Sequence, residues 1–386
     1  MRWIASWTAA PMPALVPGSE LTSVHGQTMR EIARLTIGGT KLVLRLTNEF
    51  GETPVALEAV EVAMASEGGR VEPLTTRPVT FGGNRAAIIH SGTPLVSDPI
   101  EMSANPLSRL AVSYFCGGFM PLHTTHSYGG QSSFVSVPGN FTTAEQMIVQ
   151  QATTSHHLLS AIYVQTSAKA RAIICLGDSI TDGDGSTINT DRRWPDILAE
   201  RLQQSRGFEQ VAVLNQGIGG NRVLFRGAGE KALQRFDRDV LSFHGATHVI
   251  VLCGINDIAY PDTALAGPNE AVSAADLVSA LSQLVIRGRL AGMKVLLGTI
   301  LPFEGALPSA PIGKYYSPEK DRTRQAVNHW IREASGADGV IDFDAMMRDP
   351  SHPNRLLPRY DSGDRVHPGD AGYRAMANAI DLALLR

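Results

Sequence analysis

Residues 171–180 read RAIICLGDSI, and their reading decides the architecture of the longer half of the chain. Ala172 to Leu176 form a continuous apolar run with no polar alternation, the pattern of a strand buried on both faces. The run ends on Gly177-Asp178-Ser179, which are ordinary turn residues. Four similar runs follow: VAVLN (211–215), HVIVLC (248–253), KVLLGTI (294–300) and GVIDF (339–343). Between them lie helix-like stretches: WPDILAERLQQ, EKALQRFDRDVLSF, AADLVSALSQLVIRGRLAG and SPEKDRTRQAVNHWIREA. The last carries Ser317 as an N-cap and Pro318 at the first helical position. A final helix is expected over roughly 369–385. Apolar strands alternating with helices imply a parallel sheet covered on both faces. Five strands imply a flavodoxin-like three-layer α/β/α domain.

Upstream, from residue 1 to about 165, the pattern is different. KLVLRLTNEF places Leu42, Leu44 and Leu46 on one face and Val43, Arg45 and Thr47 on the other. VALEAVEVAM, RAAIIH and SRLAVSYF are short, β-rich and bounded by Gly, Pro, Asn or Ser. Short strands with turn signals and no three-turn helix suggest a β-sandwich or jelly roll. The expected domains are therefore a β-sandwich accessory domain over 1–167 and an α/β domain over 168–386.

Composition narrows the function. The chain has 386 residues, 43% hydrophobic and 18% charged, with a formal net charge of −3. There is no basic field to hold nucleic acid, and no run of 18 apolar residues to span a membrane. The opening MRWIASWTAAPMPALVPG has one Arg and an apolar stretch broken by Pro11 and Pro13, a poor match to a secretory leader. As it stands the sequence is expected in the cytoplasm, or outside the cell if a leader was removed. Three cysteines, Cys116, Cys175 and Cys253, are too few and too dispersed for a disulfide scaffold. DGDGST fails the calcium-loop spacing, since a loop starting at Asp182 has Thr187 and Arg193 where Gly and Glu are needed. LHTTH supplies His123 and His126 without further ligands. No cofactor or metal is expected.

In an open parallel sheet, ligands bind beyond the carboxyl ends of the strands. Ser179 follows the first strand and NQGIGGNRVL the second, with Gly217, Gly219 and Gly220. GINDI follows the third, with Gly254, Asn256 and Asp257. DSGDRVHPGDAGY lies between the fifth strand and the last helix, with Asp364 and His367. Each type has a chemical use. A serine hydroxyl needs a base to become a nucleophile, and an imidazole can serve. The imidazole needs an acceptor to fix its tautomer, and Asp364 is three residues away. Asp361, Asp342 and Asp344 are other acceptors. A glycine turn can present an N–H, and an Asn amide another, to a developing oxyanion.

The blocks GDSI, NQGIGGN, GIND and DRVH, in this order, resemble the SGNH or GDSL hydrolases, a family of esterases, lipases, thioesterases and carbohydrate acetylesterases. The resemblance runs from Arg171 to about Ala379. It implies Ser179 as nucleophile, His367 as base and Asp364 as its orienting carboxylate. It also implies an oxyanion hole made by the Ser179 N–H, the Gly220 N–H and the Asn256 side chain. The opening WIASWTAAP resembles the β-rich extension of a two-domain subset. The expected activity is hydrolysis of carboxylic esters, short-chain or acetyl, on a small-molecule or saccharide alcohol. The alternatives are an acyltransferase or thioesterase using the same triad, or a carbohydrate-binding protein with an inactive hydrolase domain.

Overall fold

The computed structural model describes residues 1–14 and 21–386; residues 15–18, the end of the stretch weighed as a leader, lie outside the described residues. The chain divides into two compact units. One comprises Met1–Ala172 with Ile188–Asp191 and Ala199–Leu214; the other comprises Ile173–Thr187 with Arg192–Leu198 and Asn215–Arg386.

The first unit is built on two antiparallel sheets. One has four strands in the order Arg2–Thr8, Leu159–Thr166, Leu42–Thr47, Pro94–Val96. The other has six, in the order Val149–Thr153, Ser133–Pro138, Ser23–Arg34, Arg109–Pro121, Ala59–Met64, Arg77–Pro78. Leu42, Leu44 and Leu46 are buried while Val43 and Arg45 are half-buried, as their alternation predicts. VALEAVEVAM is two strands, Val55–Leu57 and Ala59–Met64, interrupted at Glu58. Ile32, Ala63, Val71 and Ala111 form one apolar cluster of this unit, with Phe134 packed against it.

The parallel sheet has five strands: β1 (Arg171–Gly177), β2 (Val211–Gly217), β3 (Ala246–Leu252), β4 (Lys294–Gly298) and β5 (Gly339–Ile341). Their order is β2-β1-β3-β4-β5, the doubly wound arrangement. Helices α1 (Ser179–Asp182), α2 (Trp194–Gln203), α3 (Ala232–Phe236), α4 (Ile255–Ala259), α5 (Ala274–Leu290), α6 (Pro318–Glu333), α7 (Phe343–Met347) and α8 (Asp370–Ala379) follow the strands. Residues 172–177 of β1 are all buried, which is why their sequence lacks alternation.

Helix ends obey local chemistry. Ser317 accepts a hydrogen bond from the Lys320 N–H, with Pro318 in the first turn. Ser273 and Asp276 form a reciprocal capping box at the start of α5. The last helix is shorter than expected, ending at Ala379. Ile380 is extended, and Asp381 caps a separate 3-10 turn, Leu382–Leu385, by accepting from the Ala383 N–H. A side chain able to start a new turn has here ended the helix behind it.

The chain leaves β1 and β3, neighbours in the sheet, where the strand order reverses. A crevice at that reversal is where doubly wound sheets bind ligands. Ser179 opens α1 after β1, and Asn256 lies in α4 after β3.

Candidate active site

Ser179 is the first residue of a single-turn helix. Asp178 caps that turn by accepting the Ile180 N–H through Oδ1 at 3.1 Å. The cap holds the chain in a sharp strand-to-helix bend, and Ser179 stands at its tip. Burial pushes the Asp178 carboxyl up to about 7.

Asp364 and His367 occupy the loop before α8. Asp364 Oδ1 accepts the backbone N–H groups of Val366 at 3.0 Å and His367 at 2.8 Å, which ties the loop into a turn. The same turn brings Asp364 Oδ2 to 2.6 Å from His367 Nδ1. His367 Nε2 lies 2.8 Å from Ser179 Oγ. Two residues of one loop and a serine far from them in sequence thus form one hydrogen-bonded line of carboxylate, imidazole and hydroxyl. Burial alone would push the His367 imidazole down. The Asp364 carboxylate on Nδ1, with the Asp184 and Asp178 charges, outweighs it and leaves His367 above its ordinary value. Burial would raise the Asp364 carboxyl, but the bonds from His367 and the backbone bring it down to about 2. A negative charge on Nδ1 and a hydroxyl on Nε2 is the arrangement that lets an imidazole accept a serine proton.

The other acceptors are occupied elsewhere. Asp361 Oδ1 accepts from the Gly363 and Arg365 N–H groups. Asp342 caps α7 and pairs with Arg332, and Asp344 pairs with Arg324 and Arg332.

The glycine turn after β2 is built against α1. Gly217 admits no side chain, because a Cβ there would stand 2.2 Å from the Asp182 backbone nitrogen. Asp182 Oδ2 accepts the Gly219 N–H at 2.9 Å. Gly220 has φ +72°, the left-handed region. Among the described residues, the N–H groups of Gly220 and Ser179 have no hydrogen-bond partner. A first helical residue has no intrahelical acceptor to give its N–H to. Asn256 is 2% exposed, and its Nδ2 donates to the Asn221 carbonyl at 3.0 Å. Asp257 accepts the Val223 and Leu224 N–H groups, holding the turn after Gly220 to α4.

Sequence reasoning weighed Asp182 only as the start of a calcium loop and passed over its place three residues beyond Ser179, although an acidic side chain beside a glycine-rich turn was a usable signal. It also passed over Asp184, whose Oδ2 is 3.9 Å from His367 Nε2. Cys116, Cys175 and Cys253 are buried free thiols. His126 faces the Ala10 carbonyl through Nδ1 at 2.9 Å, and His123 Nδ1 accepts the Glu52 N–H at 3.4 Å. Among the described residues no group of three or more His, Cys, Asp or Glu side chains is placed to hold a metal ion. No helix there is long and apolar enough to cross a membrane.

Comparison with known proteins adds the following. The GDSL-like lipase/acylhydrolase family matches residues 175–375. Among solved structures, a GDSL-like lipase from Bacteroides thetaiotaomicron is 20% identical, with a TM-score of 0.43 over 57% of this chain and 91% of its own. An acetylxylan esterase from Geobacillus stearothermophilus is 23% identical, with a TM-score of 0.41 over 56% of this chain and 94% of its own. The curated proteins contain no match.

Proposed function

The chain belongs to the GDSL-like lipase/acylhydrolase family, and from that premise we propose that it cleaves short-chain carboxylic esters through an acyl-serine intermediate on Ser179. It is an ester hydrolase by family; the mechanism, the site roles and the acyl length are the proposal. One observation carries it, the line Asp364–His367–Ser179 with contacts of 2.6 and 2.8 Å.

In this reading neutral His367 takes the Ser179 proton on Nε2 as Oγ adds to the ester carbonyl. The carbonyl π electrons move onto oxygen, and the N–H groups of Ser179 and Gly220 and the Asn256 amide receive that charge. Collapse expels the alcohol, which leaves with the proton held by His367. Water, deprotonated by the same imidazole, then repeats the sequence on the acyl-serine and frees the acid. Asp364 keeps the imidazole in the tautomer whose Nε2 can accept, and stabilises the imidazolium while it lasts. At Gly220 a side chain would crowd its neighbours, so the turn offers its N–H unshielded. A Cβ there would meet the Tyr260 hydroxyl at 2.8 Å and the Ala228 Cβ at 3.2 Å.

Turnover of p-nitrophenyl acetate and labelling by an organophosphonate test the nucleophile. Ser179→Ala should lose both while its melting temperature is kept. Labelling of that variant at an undiminished rate overturns the assignment. Asn256→Ala tests the oxyanion role: kcat should fall roughly 10²–10³-fold with KM little changed. A panel of esters differing in acyl length and alcohol, acetylated saccharides included, reads the substrate. Preference for long acyl chains would overturn the short-chain reading, and product diverted to an added alcohol acceptor would show transfer in place of hydrolysis.

A further inference from the structure

Tyr315 lies in the connection between β4 and α6, just ahead of the Ser317 cap and far in sequence from Ser179, Gly220, Asn256, Asp364 and His367. Its side chain is buried, 4% exposed. The ring packs edge-on against Phe303 and Tyr260, each with centroids 6.1 Å apart. Its hydroxyl donates to Asn256 Oδ1 at 2.9 Å. On the other side of the same amide, Nδ2 donates to the Asn221 carbonyl at 3.0 Å.

These two contacts determine which way the Asn256 amide faces. A side-chain amide offers one acceptor oxygen and two N–H donors. Tyr315 takes the oxygen and Asn221 takes one N–H, so a single N–H is left for another acceptor. Turning the amide over would set its oxygen against the Asn221 carbonyl and deprive the Tyr315 proton of its oxygen acceptor. In a buried site both changes are costly. A hydrogen bond to the amide oxygen also draws electron density from the nitrogen, which makes the remaining N–H a stronger donor.

We infer that Tyr315 is a positioning residue, which orients and polarises the Asn256 amide for the oxyanion. The inference rests on the reading of Asn256 as an oxyanion donor. Stabilisation of a developing charge is greatest when the donor is already fixed and need not reorganise. Tyr315 supplies that fixation without touching the substrate. The hydroxyl keeps its proton throughout the working pH range, since burial and the neighbouring Tyr260, Asp178 and Asp364 push its pKa well above the ordinary value.

The experiment is a double-mutant cycle on the full chain with p-nitrophenyl acetate, active sites being counted by phosphonate titration so that only folded enzyme enters kcat. Tyr315→Phe keeps the ring and its contacts with Phe303 and Tyr260. Alone it should lower kcat about tenfold, or ~1.4 kcal/mol, leaving KM and the acid limb of the pH profile in place. In an Asn256→Ala background it should change kcat no further, because the group it acts through is gone. The same loss in both backgrounds overturns the inference, since Tyr315 would then act without Asn256. An effect confined to KM, or none, overturns it as well. A full kcat in Asn256→Ala itself is a separate outcome: it removes the oxyanion reading, and the role of Tyr315 falls with it.

Discussion

Asp364 in the second unit and Glu31 in the first are both carboxylates beside histidine. Asp364 gives one oxygen to the His367 ring at 2.6 Å and the other to two backbone N–H groups. Glu31 is fully buried and gives both oxygens away. Oε1 accepts the His157 N–H at 2.6 Å, the Leu158 N–H at 3.4 Å and the Tyr114 hydroxyl, and Oε2 accepts the Leu159 N–H at 3.2 Å. The His156 ring stands 3.6 Å off, edge-on to Trp7, with neither nitrogen hydrogen-bonded, and neither ring nitrogen of His157 is bonded either. Burial pushes His157 down to about 4, whereas His367 lies above its ordinary value. Residue type alone therefore does not make a base. A carboxylate spent on backbone donors stitches strands together; one with an oxygen left for the ring, beside a hydroxyl, makes an imidazole that can work.

The largest expected effect separates the two by activity. Asp364→Asn should lower kcat roughly 10⁴-fold, by favouring the wrong imidazole tautomer, with little change in melting temperature. Glu31→Gln, measured per active site, should leave kcat where it is. A comparable loss in kcat for both would break the contrast.

Stability should respond the other way. Glu31→Ala strands three backbone N–H groups and the Tyr114 hydroxyl in a dry interior, and chemical denaturation should show a loss of about 3–5 kcal/mol. A cost under about 1 kcal/mol would mean that water replaces the carboxylate there.

A third test uses pH. An unfolded histidine titrates near 6.5 and folded His157 at about 4, so between those values the unfolded chain binds more protons. Stability from His157 is complete above about 6.5 and is lost as pH falls toward 4, an interval worth ~3 kcal/mol. Glu31 acts in the same direction: burial would raise its carboxyl, but His156, His157 and Tyr114 hold it below the ordinary range, so its contribution also disappears on acidification. His157→Gln should lower stability at pH 7 less than it flattens this acid dependence. Identical slopes for variant and wild type would remove His157 from the account.

The smallest effect sharpens the catalytic side. The proposed base must be neutral, so kcat/KM should rise with pH through a midpoint above about 6.5. Asp184→Asn removes a negative charge 3.9 Å from His367 Nε2, destabilises the imidazolium and should move that midpoint to lower pH. The shift should be roughly one unit or less, because solvent reaches that carboxylate. A shift to higher pH would contradict the electrostatics drawn here.

Much of this was legible in the chain before folding. The unalternating run at Ala172–Leu176 and its four successors announce a parallel sheet, and the observed order β2-β1-β3-β4-β5 follows. Ser317-Pro318 marks the start of α6, and Asp364 reaches His367 because three residues span a turn. The rest was hidden for identifiable reasons. Asp381 looked like an interior helix residue until its side chain capped a new turn. The capping box at Ser273 and Asp276 was present in the letters and passed over.

Local order in the sequence determined which residues stand at strand ends, because apolar periodicity and capping act over a few residues and need no partner from elsewhere. It could not determine which N–H groups stay unbonded, how the Asn256 amide faces, or that Glu31 spends its oxygens on backbone while Asp364 keeps one for a ring. Those outcomes depend on acceptors brought from distant segments: Asn221 and Tyr315 around Asn256, and residues 157–159 around Glu31. Hydrogen bonds are short and directional, and only the folded chain sets donors and acceptors close enough to choose between them.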